Sequence, residues 1–140
     1  MRGVNRGFAG LAVLASAIAG CGGSSEPHAE WAGPPELRPR EGILVVETFR
    51  QHAEAVDEDW ESDPEALARE FLQRDEGETS VDGDRVTILH DGLEDDSIRA
   101  ERWVLELVRD EDVWQLVSAR WEQRCHADRG HQVFSPELCL

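Results

Sequence analysis

The spacing of apolar residues predicts a first helix that begins near residue 44. Side chains that can share one helix face recur at intervals of three and four residues: Val45, Phe49, His52 and Val56. This pattern predicts a helix from about 44 to 56. The segment 43–46 is apolar throughout, so the chain could instead begin here as a strand.

A second helix has the clearest signals for its start and its end. Asp63 precedes Pro64, and an acceptor side chain before a proline at the first helical position is typical of a helix N-terminus. Four apolar residues then form one face: Ala66, Leu67, Phe71 and Leu72. Gly77 follows them, where it could end the helix.

After residue 77 the period of the pattern changes to that of strands. Asp82-Gly83 is typical of a hairpin turn, here between short strands predicted at 79–81 and 85–90. Two longer strands are predicted at 98–109 and 113–124. We therefore expect an α+β domain in which two N-terminal helices pack on a four-stranded antiparallel meander.

The first residues have the layout of an export signal. Arg2 and Arg6 precede an uncharged, mostly apolar run from Gly7 to Ile18, which is too short to span a bilayer. The segment Ile18-Ala19-Gly20-Cys21 resembles the lipobox of bacterial lipoproteins, in which an aliphatic and two small residues precede a cysteine. The resemblance covers residues 1–21 only. An ordinary secretory signal with an incidental cysteine is the alternative.

The lipoprotein resemblance implies that Cys21 carries lipid and becomes the first residue of the mature chain. It implies a protein anchored to the cell envelope by acyl chains such as palmitate. Gly22 follows the cysteine where the family has an Asp for retention in the inner membrane. In a Gram-negative host, the resemblance therefore implies the outer membrane, with the protein facing the periplasm.

Residues 22–42 are rich in Gly, Pro, Ser and Glu, a composition typical of a flexible tether. Trp31 is the exception, and we expect it either to enter the lipid interface or to dock on the domain. The predicted organisation is a signal peptide at 1–20, the lipidated Cys21 with its tether at 21–42, and a single domain at 43–140.

The chain is strongly acidic, with a formal net charge of −16. Such a surface repels nucleic acid and anionic lipid, so we expect no nucleic-acid partner. All basic residues are Arg, and the missing Lys excludes a P-loop and Schiff-base chemistry.

Three cysteines are present, and assigning Cys21 to lipid leaves Cys125 and Cys139. In an exported, oxidising setting this pair favours a disulfide that closes a C-terminal loop. A zinc site formed by Cys125, His126, His131 and Cys139 is the alternative. Adjacent Cys and His ligands are awkward for one ion because their side chains diverge, so we expect no metal and no cofactor.

No catalytic motif is present. The chain has no Gly-x-Ser-x-Gly segment and no His-Glu-x-x-His segment. The alternating acids from Asp57 to Asp63 do not fit a calcium loop, because Ser62 stands where Gly is needed and Ala68 where Glu is needed. No catalytic residue is therefore predicted, and an enzyme is not the favoured interpretation.

The segment 120–140 differs from the rest of the domain because its acids and arginines balance. Four candidate binding residues lie in it: Arg124, His126, Arg129 and His131. We predict a non-catalytic binding module that meets a protein or small anionic partner through residues 120–134. The alternatives are a small envelope hydrolase or cation-dependent enzyme that uses His126 or His131, and a purely structural envelope component. The loop could also simply hold the C-terminus over the sheet, with Phe134 and Leu138 in the core.

Overall fold

A computed structural model describes residues 29–140. Its elements are, in chain order, α1 (Glu47–Ala55), a short 3-10 helix (Asp59–Ser62), α2 (Pro64–Leu72), β1 (Glu78–Asp82), β2 (Arg85–Asp91), β3 (Ile98–Asp110) and β4 (Val113–Cys125). The predicted signal peptide, Cys21 and the start of the predicted tether lie outside the described residues. No helix in the described part of the chain is long and apolar enough to cross a membrane.

The four strands form one antiparallel sheet in the order β1-β2-β3-β4. The predicted α+β class, with two helices and a four-stranded antiparallel sheet, is thereby confirmed. We had expected the two helices at the N-terminus, but they lie in the middle of the chain. An extended segment, residues 29–46, precedes α1 and contacts the domain.

Helix α2 begins as its sequence predicts and ends earlier. Asp63 accepts a hydrogen bond from the Ala66 amide (2.8 Å), which satisfies one of the free N–H groups of the first turn. The helix ends at Leu72, where Gln73 takes the left-handed conformation, and not at Gly77 as we had expected. Gly77 instead lies against β2, where a Cβ atom would come within 2.9 Å of the Leu89 oxygen.

One face of the sheet packs on the helices and forms the core. Alternate residues of the strands point to this face, so their side chains are buried together with those of α1 and α2. The largest fully buried apolar side chains are Phe49, Leu67, Phe71, Leu72, Ile88, Trp103, Leu105 and Trp121. Within residues 29–140, no helix covers the opposite face, which we call the open face.

The extended segment before α1 contacts the core through specific polar groups. The Trp31 indole donates a hydrogen bond to the Phe71 oxygen (2.9 Å), and the Trp103 indole donates one to the Leu37 oxygen (3.2 Å). The composition of residues 22–42 predicted a flexible tether, and the contact of Leu37 differs from that expectation. A buried indole N–H needs an acceptor, and the two backbone oxygens supply it. Of the two placements expected for Trp31, docking on the domain is the one observed.

Two short segments cover the outer edge of β4. Residues 42–44 bond to it through Trp121 N to Gly42 O (2.8 Å), and Ser135 pairs with Gln123 in both directions (2.9 and 3.0 Å). An uncovered edge strand is a template for pairing with other chains, so this cover protects the sheet. The Cys125–Cys139 disulfide fixes the second segment, and the predicted pairing is thereby confirmed.

Candidate functional site

The disulfide-closed loop, residues 125–139, is held in shape by hydrogen bonds between its own residues. The Cys125 amide donates to the His131 oxygen (3.0 Å), and the Leu140 amide donates to the Arg129 oxygen (2.7 Å). The Gln132 side-chain amide lies 3.1 Å from the His126 oxygen. The loop is therefore an ordered surface that returns along β4.

His131 lies inside this network and is not free for a partner. Its Nδ1 lies 2.7 Å from the Val133 oxygen and its Nε2 lies 2.8 Å from the Glu137 oxygen. A neutral imidazole has a single N–H, so only the charged form can donate to both carbonyl oxygens. The two contacts hold the ring in place within the loop.

Arg124 lies on the open face, where it stacks on Phe134. Its guanidinium carbon is 5.2 Å from the centre of the Phe134 ring, and Nη2 is 3.2 Å from an Asp91 oxygen. The guanidinium of Arg102 lies 4.3 Å from the same ring. Phe134 therefore contacts two arginines, a favourable arrangement for an aromatic ring and cations. The amide of Gly92 first, and the Arg124 charge after it, lower the pKa of Asp91.

The expectation that Phe134 and Leu138 enter the core was wrong. Phe134 is partly buried, but between arginines of the open face rather than among the core side chains. Leu138 is 70% exposed. The pairing of Ser135 with Gln123 explains the position of Phe134, because successive side chains of an extended segment point to opposite faces.

His126 and Arg129 lie at the turn that follows β4. The His126 amide donates to the Ser97 oxygen (2.8 Å), and the Arg129 amide donates to the His126 oxygen (3.1 Å). The Arg129 side chain is exposed and that of His126 is partly exposed. The four predicted binding residues are thus divided among the open face, the interior of the loop and this turn, and they do not form one site.

Two arginines that share the open face with Arg124 were not among the binding residues predicted from the sequence. Arg102 forms a cross-strand ion pair with Glu122 (2.6 Å) and contacts Phe134. Arg120 is exposed, and within residues 29–140 no carboxylate lies within 4.0 Å of it. Strand alternation could have placed Arg120 and Arg124 on one face, but Arg102 joins them only through the register of β3 with β4.

A row of polar residues, of which Glu101 and Gln123 are buried and His90 is partly exposed, lies on the helix-facing side of the sheet. His90 pairs across the strands with Glu101, and Glu101 pairs with Gln123. Glu101 is 0% exposed, and its carboxylate bonds to Arg38 (2.9 Å) from the extended segment. Because Arg38 covers this carboxylate, the row does not form an open catalytic pocket.

A surface hollow of about 90 Å³ lies between α1 and the start of β4. Its apolar wall includes Phe49, Leu67 and Leu116, and no histidine lines it. It therefore gives no support to a hydrolase that uses His126 or His131. The acids 57–63 serve local structure instead, with Asp63 as the cap of α2.

The residues of the alternative zinc site are only partly brought together. Donor atoms of Cys125, His131 and Cys139 lie within 4.8 Å of one another, and His126 is not in this group. The two sulfur atoms are bonded to each other, so neither is a thiolate that could bind zinc.

Comparison of the chain with known protein families, with curated protein sequences and with solved structures found no match.

Proposed function

We propose that the chain is a lipid-anchored protein of the bacterial cell envelope whose domain binds an anionic group of a partner. The binding surface, which we call the arginine surface, consists of Arg102, Arg120, Arg124 and Phe134 on the open face. The observation that carries the proposal is the Phe134 ring, which contacts the guanidinium groups of Arg102 and Arg124 at 4.3 and 5.2 Å.

The stacking fixes two guanidinium groups before any ligand arrives. Arg102 and Arg124 each have one carboxylate partner, Glu122 and Asp91, whereas Arg120 is exposed. Guanidinium groups bind carboxylates and phosphates through paired hydrogen bonds, and fixed ones lose less conformational entropy on binding. The surface therefore suits an anionic group on a protein or a small molecule, with Arg120 as its first contact.

The proposed place of the protein rests on the lipobox resemblance at Cys21. In this proposal the membrane is contacted through lipid on Cys21, and the domain meets its partner outside the bilayer. The acidic remainder of the chain, with a net charge of −16, disfavours nucleic acid as that partner. Replacing Cys21 by Ser should release the protein from the membrane fraction of the producing cells.

Binding can be tested with the mature chain carrying Cys21→Ser and an acetylated hexaglutamate peptide as the anionic probe. We expect the peptide to shift the NMR signals of Arg120, Arg124 and Phe134, and to bind more weakly as salt is added. Arg120→Gln should weaken binding by about tenfold, the loss of one charge-assisted contact.

Arg50→Gln is the matched control, because Arg50 is also exposed but lies on α1, on the other side of the sheet. It should leave the affinity for the peptide unchanged. Equal affinities of the Arg120→Gln and Arg50→Gln variants, or shifts spread over the whole surface, would contradict the proposed site.

A further inference from the structure

The disulfide lies beside the imidazole of His131. One nitrogen of His131 and the sulfur atoms of Cys125 and Cys139 lie within 4.8 Å of one another. Cys125 is fully buried at the end of β4, whereas Cys139 is partly exposed at the second-last position of the chain. The two cysteines of this disulfide therefore differ in their access to solvent.

Two backbone carbonyl oxygens hold the His131 imidazole beside the disulfide. Both ring nitrogens face carbonyl oxygens, those of Val133 and Glu137, at 2.7 and 2.8 Å. One ring nitrogen of His131 thus lies beside both sulfur atoms, and only the charged form of the imidazole could donate to both carbonyl oxygens.

We propose that the Cys125–Cys139 disulfide exchanges with thiols of a partner protein, and that His131 stabilises the thiolate which leaves. The partner's thiolate attacks Sγ of Cys139 and forms a mixed disulfide with it. The electron pair of the broken S–S bond goes to Sγ of Cys125, which becomes a thiolate beside the imidazolium. A second thiol of the partner then resolves the mixed disulfide, so the partner dithiol is oxidised and the Cys125–Cys139 pair is reduced.

A neighbouring positive charge makes a cysteine a better leaving group, because it lowers the energy of the thiolate. The direction of attack follows from the packing around Cys125. A Cβ atom on Gly130 would come within 2.9 Å of the Cys125 sulfur, so the backbone of the loop already encloses this atom. An incoming thiol is therefore expected to reach Cys139 and not Cys125.

The experiment uses the mature chain carrying Cys21→Ser, which leaves Cys125 and Cys139 as its cysteines. Glutathione is the trapping thiol, and peptide mass mapping after acid quenching locates the mixed disulfide. We expect the adduct on Cys139. The rate constant for reduction by dithiothreitol, corrected for its thiolate fraction, should fall about tenfold in His131→Gln.

The matched control is His126→Gln, which changes a histidine of the same loop that does not lie beside the two sulfur atoms. This variant should keep the wild-type rate. If His131→Gln does not fold, the wild-type protein still tests the direction of attack through the position of the glutathione adduct. An adduct on Cys125, or equal rates for the two histidine variants, would overturn the proposal.

This proposal does not depend on the arginine surface. Arg120→Gln should exchange at the wild-type rate, and the reduction test and the hexaglutamate test can therefore fail separately.

Discussion

Removing the arginine that covers the buried carboxylate should be one of the most damaging surface substitutions in this domain. The Arg38 side chain is 49% exposed, but its guanidinium bonds to both oxygens of Glu101, which is 0% exposed. In Arg38→Ala, the one described partner that remains for the Glu101 carboxylate is the Trp121 indole, whose nitrogen lies 3.3 Å from one carboxylate oxygen.

Breaking a buried ion pair by removing one partner costs about 3–5 kcal/mol, because a charge is left buried without compensation. Water can enter the space that the half-exposed Arg38 leaves, so we expect the lower end of this range, about 3 kcal/mol. The total free energy of unfolding of a small domain is about 5–15 kcal/mol, so the loss is easily measured.

The assay is urea unfolding of the mature chain carrying Cys21→Ser, followed by tryptophan fluorescence. Arg40→Ala, an exposed arginine two residues away, is the matched control and should change stability by less than about 0.5 kcal/mol. In a Glu101→Gln background, Arg38→Ala should cost less than about 1 kcal/mol, because no buried charge is left. An equal cost in both backgrounds, or a loss like that of Arg40→Ala, would show that Arg38 does not compensate a buried charge on Glu101.

Three further substitutions test local features by the same unfolding assay. Asp63→Ala should cost about 1 kcal/mol, because α2 loses its N-cap. Gly42→Ala should cost about 1–3 kcal/mol, since Gly42 has a φ of +72° and its Cβ would lie 2.7 Å from Pro136. A hydrogen bond from the Ile98 amide is the main cause that lowers the pKa of Asp95 from 3.8. The ionised Asp95 carboxylate therefore stabilises the fold above about pH 4, and this stabilisation is lost at lower pH. Asp95→Asn should therefore lose less stability than the wild type on acidification; parallel acid profiles would contradict this.

Local patterns were sufficient for most of the secondary structure. The Asp63-Pro64 pair predicted the start of α2, and Asp82-Gly83 predicted the turn between β1 and β2. These signals depend only on neighbouring residues, so they can be recognised in the sequence without knowledge of the fold. The Cys125–Cys139 bond was predicted differently, from the cysteine count once Cys21 had been assigned to lipid.

Contacts between distant parts of the chain could not be predicted from the sequence. The composition around Arg38 is that of a linker, and its pairing with Glu101 joins residues 63 positions apart. Likewise, Phe134 reaches Arg102 only because the C-terminal segment pairs with β4 and β4 pairs with β3. Composition and periodicity do not report such registers, so residues 22–42 were predicted to be a tether, and the alternative in which the loop holds the C-terminus over the sheet placed Phe134 in the core.

The proposed anchor determines how the cysteines are divided and where the domain acts, so it is the central claim. Intact-mass spectrometry of the chain extracted from membranes of the producing cells tests it most directly. We expect a chain that begins at Cys21 and carries the added mass of a diacylglyceryl group, with its N-terminus either free or amide-linked to a further acyl chain. A soluble chain that begins elsewhere, or one whose Cys21 carries no lipid, would contradict it.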